Sequence, residues 1–323
     1  MKRREILGLA GAGLVTSAFP ARPTAANDKP DFPVTVRHRH GETVIIAEPR
    51  RVVCLGLNDQ DFVYAVGISP LGVTEWWGKR PYATWPWAEP ARLNLGAEPQ
   101  VTGSRYLDYE WILSLEPDLI LAVYLDLDER AYRKLSRIAP VVAAPAGYPA
   151  WSAPWDEQFA LIARALGRSS DATVMTNGIG RRIERIRVDY PALMGRSAAL
   201  ADFREGQFVL WSNRTAPTRF IEQLGLNVPA SLEALASPAG WIHISLEHAE
   251  LLDLDLLIWP NDVRGPLDDI AVFTSLAVYK QGRCLWLSEE DISLSAALWF
   301  QSPLSITYLL DRLPPLILDT LRR

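Results

Sequence analysis

The chain has 323 residues, of which 49% are hydrophobic and 22% are charged, and its formal net charge is −5. This length predicts about two domains with ample core, and the composition is that of a globular protein, which excludes a disordered chain. An acidic balance without a basic block excludes nucleic acid as the expected partner.

The N-terminal segment has the features of an export signal. Lys2-Arg3-Arg4 precedes an apolar run from Ile6 to Ala18, and Thr24-Ala-Ala26 offers small residues for cleavage. The paired arginines also resemble a twin-arginine signal. Cleavage after Ala26 would remove four basic residues and one acidic residue, so the charge would change from −5 to −8. We therefore expect residues 1–26 to be a signal peptide and the mature protein to be exported, periplasmic and soluble.

Short alternating elements predict a first α/β lobe. A hairpin is expected over residues 34–46, and its His38 and His40 have no further metal ligands nearby, so a solvated edge hairpin is the favoured interpretation. A buried strand at 51–57, a helix at 59–66 and a strand at 68–74 then form a β-α-β run, which predicts a parallel sheet.

A tryptophan-rich loop follows that run. Residues 75–87 contain four of the chain's twelve tryptophans. The loop lies beyond the carboxyl end of a predicted parallel strand, where ligands of open α/β sheets bind. Some of these aromatic side chains are expected to fold back onto the domain. Because exposed aromatic clusters mark binding surfaces, the loop is nevertheless predicted to form a binding wall.

One helix-and-strand motif occurs twice. Residues 108–115 have helical spacing, Pro117 stops the helix, and residues 119–123 predict a buried strand. Residues 245–259 repeat this helix-and-strand motif. In both copies a glutamate precedes an aspartate by eight residues, namely Glu110 with Asp118 and Glu247 with Asp255. The repetition predicts two similar lobes.

Two helices connect the lobes. They are predicted at residues 157–166 and 171–188, after a boundary at residues 145–154 that is rich in Pro and Ala. The second helix, at about 27 Å, could bridge two lobes as a rigid strut. We assign an N-terminal lobe at residues 34–150, a connecting helical segment at 151–190 and a C-terminal lobe at 191–323.

The second lobe carries the other cysteine. Its strands are expected at residues 197–202, 207–211 and 284–287, and its helices at 217–224, 270–278 and 302–321. Cys54 and Cys284 fall in predicted core strands of different lobes, so two buried free thiols are expected.

The sequence contains none of the common catalytic signatures. It has no Gly-x-Ser-x-Gly elbow, Walker loop, Cys-x-x-Cys or His-Glu-x-x-His motif, and only four histidines. No catalytic residue, resident metal or cofactor is therefore predicted, and binding is favoured over catalysis. An exported hydrolase is the rival interpretation.

Four segments of the chain carry a family resemblance: Arg50-Arg-Val-Val-Cys-Leu55, residues 101–121, residues 275–283 and residues 294–313. In their order and spacing, they resemble the helical-backbone (class III) periplasmic binding proteins of ABC importers. The closing segment is most similar to the ferric-siderophore branch. The resemblance implies an α/β fold of two Rossmann-like lobes joined by a long rigid helix, with the ligand in a cleft between them.

The resemblance also implies the ligand and its contacts. Arg105 matches the Gly-x-Arg pattern that places a ligand-contacting arginine in ferric-siderophore relatives. The other expected contacts are aromatic and cationic side chains on both walls of the cleft: Trp76, Trp77, Arg80 and Tyr82 in the first lobe, and Trp211, Arg214, Trp241 and Arg264 in the second. The ligand is expected to be a chelate rather than a bare metal ion. Haem and cobalamin remain open as alternative ligands.

The repeated glutamates have two interpretations. Glu110 and Glu247 each lie near a helix N-terminus, where a negative charge is mildly stabilising. The resemblance implies instead that each docks onto one subunit of a dimeric permease. A pair of like charges on one face suits a monomeric, pseudo-twofold binding protein that meets a twofold partner.

Overall fold

The computed structural model describes residues 32–75, 77–103, 106–261, 263–287 and 292–323, so the predicted signal peptide lies outside it. The strands are, in chain order, β1 (Val34–His38), β2 (Gly41–Ile45), β3 (Val52–Cys54), β4 (Gly72–Glu75), β5 (Gln100–Gly103), β6 (Leu119–Ala122), β7 (Val141–Ala143), β8 (Ala198–Arg204), β9 (Gln207–Trp211), β10 (Trp241–Ile244), β11 (Leu256–Trp259) and β12 (Cys284–Trp286).

The α-helices are α1 (Asp59–Ala65), α2 (Glu89–Asn94), α3 (Tyr109–Ser114), α4 (Glu129–Leu135), α5 (Trp155–Ala165), α6 (Ser169–Asp189), α7 (Ala216–Gln223), α8 (Ala230–Glu233), α9 (Arg264–Asp268), α10 (Ala271–Thr274), α11 (Ala277–Lys280), α12 (Ile292–Trp299) and α13 (Pro303–Leu321). Short 3₁₀ helices span Pro81–Ala83, Pro191–Leu193 and Leu246–Leu252.

The first sheet is parallel throughout, as predicted. Its strand order is β5-β4-β3-β6-β7. Every residue of β3, β6 and β7 is buried, because helices cover both faces of a parallel sheet and the strands must be apolar without alternation. The edge strand β5 was not predicted, since its residues are polar or exposed.

The second sheet departs from strict strand-helix alternation. Its order is β10-β9-β8-β11-β12, and β9 runs antiparallel to both β8 and β10. Strands β8 and β9 form a hairpin because Glu205 and Gly206 both have positive φ, which permits a two-residue turn. The second lobe is therefore an α/β unit with a mixed sheet.

The repeated motif places equivalent residues in equivalent positions. Asp118 accepts hydrogen bonds from the amides of Arg50 and Arg51, just before β3. Asp255 accepts one from the amide of Ser197, just before β8. Each aspartate thus joins its own strand to the neighbouring strand, which confirms the predicted relation between the two halves.

Long helices lie between the two sheets. Helix α6 has 21 residues, or about 32 Å, and leads from α5 to the second sheet. Helix α13 packs against α1, α5 and α6, and a capping box between Ser302 and Ser305 fixes its start. A continuous hydrophobic core runs from the first sheet through these helices to the second sheet.

Two predictions about single side chains have opposite outcomes. The prediction of a solvated hairpin is wrong for His38. This residue is only 3% exposed, and its Nε2 lies 2.9 Å from the Thr43 hydroxyl. Burial lowers the pKa of His38 to about 4, so the ring is neutral at pH 7. The prediction of buried free thiols is confirmed for Cys54 and Cys284.

Candidate functional site

A line of aromatic rings connects the two sheets. The Trp211 ring meets Trp299 edge to face, with 4.8 Å between centroids. Phe300, the next residue, meets Tyr124 at 5.7 Å, and Tyr124 meets Trp151 at 5.1 Å. We call these five residues the aromatic line. Tyr124 follows β6 and Trp211 ends β9, so the line runs from one lobe to the other.

A buried acid orients an arginine at the second-sheet end of this line. The side chain of Asp202 is 2% exposed, and it accepts hydrogen bonds from Arg204 Nε and, at 2.8 Å, from Asn261 Nδ2. The Arg204 guanidinium carbon lies 6.0 Å from the Trp211 ring centroid. Its two terminal nitrogens have no hydrogen-bond partner among the described residues, so Arg204 can donate to a ligand beside an aromatic surface.

Arg219 on α7 joins the second lobe to the start of the connecting segment. Its Nη2 donates to the carbonyl of Ser152 at 3.0 Å, and its Nη1 donates to the carbonyl of Arg214 at 2.7 Å. Burial lowers the pKa of Arg219, and the nearby Tyr148, Asp156 and Tyr124 side chains oppose that shift. Burial also raises the pKa of Tyr124, so its hydroxyl stays protonated at neutral pH.

The tryptophan loop is divided between core and surface. Trp85 and Trp87 are buried and stack on each other at 5.2 Å. Trp77 is 43% exposed and leans on Trp85 at 5.3 Å, while the Arg80 guanidinium lies 4.8 Å above the same ring. Only part of the loop is therefore available as a wall.

The other first-lobe residues that were predicted to contact the ligand do not form one group. Tyr82 is half-buried, has φ 54°, and lies under the Arg92 guanidinium at 4.4 Å. Trp76 and Arg105 lie outside the described residues. Gly103 and Tyr106, which flank the segment with Arg105, line a cavity of about 230 Å³ at the carboxyl edge of the first sheet.

The structure brings together only some of the second-lobe residues that were predicted to contact the ligand. Trp211 is buried and Trp241 is 41% exposed, and they lie opposite each other on β9 and β10. Arg214 is exposed, and its Nη1 donates to the Ser237 carbonyl at 2.9 Å, close to β10. Arg264 lies apart from them, with its guanidinium carbon 5.7 Å from the Trp286 ring centroid.

Sequence reasoning did not find Asp202, Arg204, Tyr124 or Phe300. Asp202 and Asn261 come together only through the pairing of β8 with β11, which no local pattern encodes. One available signal was an aspartate inside an otherwise apolar strand, because a buried acid needs partners.

The two repeated glutamates occupy matching positions. Glu110 is the second residue of α3 and Glu247 is the second residue of the 3₁₀ helix Leu246–Leu252, and both are exposed. Each helix returns the chain between strands that run in the same direction, so its N-terminus lies at the carboxyl edge of its sheet. Both charges therefore lie at corresponding edges of the two sheets.

Two further observations bear on function. Among the described residues, no group of three or more His, Cys, Asp or Glu side chains is arranged to hold a metal ion. No helix in the described part of the chain combines the length and apolar character that a bilayer span requires.

These features define a two-lobed α/β binding protein. The chain belongs to the periplasmic binding protein family, whose model matches residues 52–269. It is similar to a periplasmic solute binding protein from Mycobacterium smegmatis, with 35% identity, a TM-score of 0.78, and coverage of 89% of this chain and 98% of that one.

Two curated relatives carry more specific names. The Fe(3+)-citrate-binding protein YfmC of Bacillus subtilis is 25% identical over 237 residues, which cover 72% of this chain and 70% of the relative. The Fe(3+) dicitrate-binding periplasmic protein FecB of Escherichia coli is 26% identical over 210 residues, which cover 64% of this chain and 66% of the relative.

Proposed function

We propose that this protein captures a ferric siderophore or a similar ferric chelate between its two lobes and delivers it to the permease of an ABC importer. The observation that carries the proposal is the aromatic line, which runs between the two sheets with Arg204 at one end and Arg219 beside Tyr124. The ferric-citrate names of the two curated relatives support the same class of ligand.

The chemistry of these side chains suits a chelate. The oxygen donors around ferric iron carry negative charge, and a guanidinium can donate several hydrogen bonds to such oxygens. The aromatic rings offer apolar surface to the carbon skeleton of the chelator. Arg105, Trp76, Trp77, Arg80 and Tyr82 complete the first-lobe wall in this proposal.

Contacts from the second lobe complete the proposed site. Trp241 and Arg214 lie beside β9 in this proposal, and Arg264 contributes from the start of α9. A bare Zn²⁺ or Mn²⁺ ion would need convergent His and carboxylate ligands. We therefore propose that iron enters already bound by its chelator.

A fluorescence titration tests this proposal. Purified protein is titrated with ferric citrate, a ferric hydroxamate, a ferric catecholate, haem and cobalamin, and tryptophan emission is recorded. We expect saturable quenching by a ferric chelate, because Trp211, Trp299 and Trp151 line the proposed site. Folded protein that responds to none of the ferric chelates would contradict the proposal, and a response to haem or cobalamin alone would replace the ligand class.

Matched arginine variants locate the ligand. Arg204→Gln removes a charged donor worth about 1.5–3 kcal/mol, so the affinity should fall about 10- to 100-fold. Arg181→Gln, on the exposed face of α6, is the control and should bind as the wild type does. Equal affinities for the two variants would remove Arg204 from the site.

The bound chelate is proposed to leave the protein chemically unchanged. The family is one of substrate-binding proteins, and the proposed site uses arginine and aromatic side chains for recognition rather than for bond cleavage. Mass spectrometry of the chelator after prolonged incubation should therefore return the starting mass. Catalytic turnover would favour an exported hydrolase instead.

Glu110 and Glu247 are proposed to dock the protein onto the two subunits of the permease. Both charges lie at corresponding sheet edges, where complementary charge on a partner sets orientation and association rate. In the double variant Glu110→Ala, Glu247→Ala, chelate affinity and thermal stability should hardly change, while uptake through the importer should fall sharply. Wild-type uptake by this variant would leave only the helix-dipole role for the two residues.

A further inference from the structure

The carboxylate of Asp59, at the start of α1, joins two loops at the carboxyl edge of the first sheet. It is fully buried and accepts three backbone hydrogen bonds, from Gly56 at 3.0 Å, Val123 at 2.9 Å and Tyr124 at 3.0 Å. Gly56 belongs to the loop after β3, and the other two residues follow β6. No Lys, Arg or His side chain in the described part of the chain forms an ion pair with Asp59.

The two loops fit closely around this carboxylate. A Cβ atom at Gly56 would lie 2.3 Å from either carboxylate oxygen, so only glycine fits at that position. The amide of Leu57 also donates to the carbonyl of Tyr124 at 3.1 Å. The contacts therefore bind the loop after β3 to the loop after β6 at several points.

The position of Tyr124 depends on this arrangement. Its amide is held by Asp59, and its ring meets Trp151 and Phe300 in the aromatic line. We propose that Asp59 is a positioning residue of the binding site, which fixes Tyr124 in the aromatic line without touching the ligand. This inference rests on the proposed function, because it assumes that the aromatic line contacts the chelate.

The position of the carboxylate also predicts a pH dependence. Burial raises the pKa of Asp59 to about 6, although its three amide donors oppose the shift. The neighbouring titratable groups are Asp61 on the same helix and the Cys54 thiol on β3, and both lie close enough to interact with it. Below about pH 6, a proton would occupy an oxygen that now accepts amide hydrogen bonds. The loops should then loosen and chelate binding should weaken.

The test compares Asp59→Asn with Asp61→Asn. The second variant is a matched control, because Asp61 is equally buried on the same helix but bonds side chains of Trp87 and Ser302 instead of these loops. For the ferric chelate that wild-type protein binds, we expect Asp59→Asn to bind about tenfold more weakly at pH 7.5. The Asp61→Asn variant should keep wild-type affinity. When the pH is lowered from 7.5 to 5, the ratio of the wild-type affinity to the Asp59→Asn affinity should decrease.

Amide hydrogen exchange without ligand gives an independent readout. Peptides that contain Val123 and Tyr124 should exchange faster in Asp59→Asn than in wild type, and they should be unchanged in Asp61→Asn. Gly56→Ala displaces the same carboxylate and provides a second variant if Asp59→Asn does not fold.

The outcomes separate the two proposals. The role of Asp59 would be overturned if wild-type protein binds a ferric chelate and Asp59→Asn has the same affinity, pH profile and amide exchange as wild type. Wild-type protein that binds no ferric chelate would contradict the proposed function itself.

Discussion

The replacement of Asp61 by Asn should change the pH dependence of folding stability. Asp61 lies on α1, is fully buried, and accepts hydrogen bonds at one oxygen from Trp87 Nε1 at 2.5 Å and from the Ser302 hydroxyl at 3.2 Å. Burial raises the pKa of Asp61 from 3.8 to about 7, and the charge of Asp59 contributes to the rise.

The direction and size of the effect follow from this shift. Below pH 3.8 the carboxyl is protonated in both states. As the pH rises, the unfolded chain releases the proton while the folded protein keeps it until about pH 7, so stability falls across this window. At about 1.4 kcal/mol per pKa unit, wild type should lose about 3 kcal/mol relative to Asp61→Asn between pH 5 and pH 8.

Urea unfolding at several pH values measures this difference. The free energy of unfolding of wild type and Asp61→Asn is determined from pH 5 to pH 8 by circular dichroism. Asp189→Asn, at the exposed end of α6, is the control for loss of a carboxylate that is not buried. A constant difference between wild type and Asp61→Asn would refute the reasoning, whatever its sign.

Further substitutions test the packing. Phe159→Ala removes a fully buried ring and should cost about 3–5 kcal/mol in urea unfolding, whereas Leu113→Ala, at a side chain that is 60% exposed, should cost less than about 0.5 kcal/mol. Gly72→Ala should cost about 1–3 kcal/mol, because its Cβ would lie 2.6 Å from a leucine methyl carbon. A thiol reagent should label Cys54 and Cys284 only after unfolding, and rapid labelling of native protein would contradict their burial.

Elements with strong local patterns could be predicted from the sequence. Helix α3 and strand β6 were predicted because a short stretch with helical spacing, stopped by Pro117, precedes a fully apolar run; the structure adds a side-chain cap from Asp108 at the start of α3. Strands β5 and β10 were missed, since they have only four residues each and lie at sheet edges with exposed positions. Edge strands are defined by the neighbours that they pair with, and local sequence does not contain that information.

The candidate site could be predicted only in part. The tryptophan loop was correctly located beyond β4, yet Trp85 and Trp87 are buried, and Trp87 packs against the distant helix α13, where the Tyr308 ring centroid lies 6.0 Å from that of Trp87. The Asp202–Arg204 pair was missed because its setting depends on strand register. Tyr124 and Phe300 meet across 176 positions of sequence, and only the tertiary fold brings them together.

The central claim is that a ferric chelate binds between the two lobes, at the aromatic line. Anomalous diffraction at the iron absorption edge tests it most directly, with crystals grown in the presence of the ferric chelate that quenches tryptophan emission. We predict one strong iron peak between the two sheets, within about 10 Å of both Tyr124 and the Arg204 guanidinium, as expected if both side chains contact a chelate of ordinary size. An iron peak on the outer face of either sheet, with none at the aromatic line, would contradict the claim.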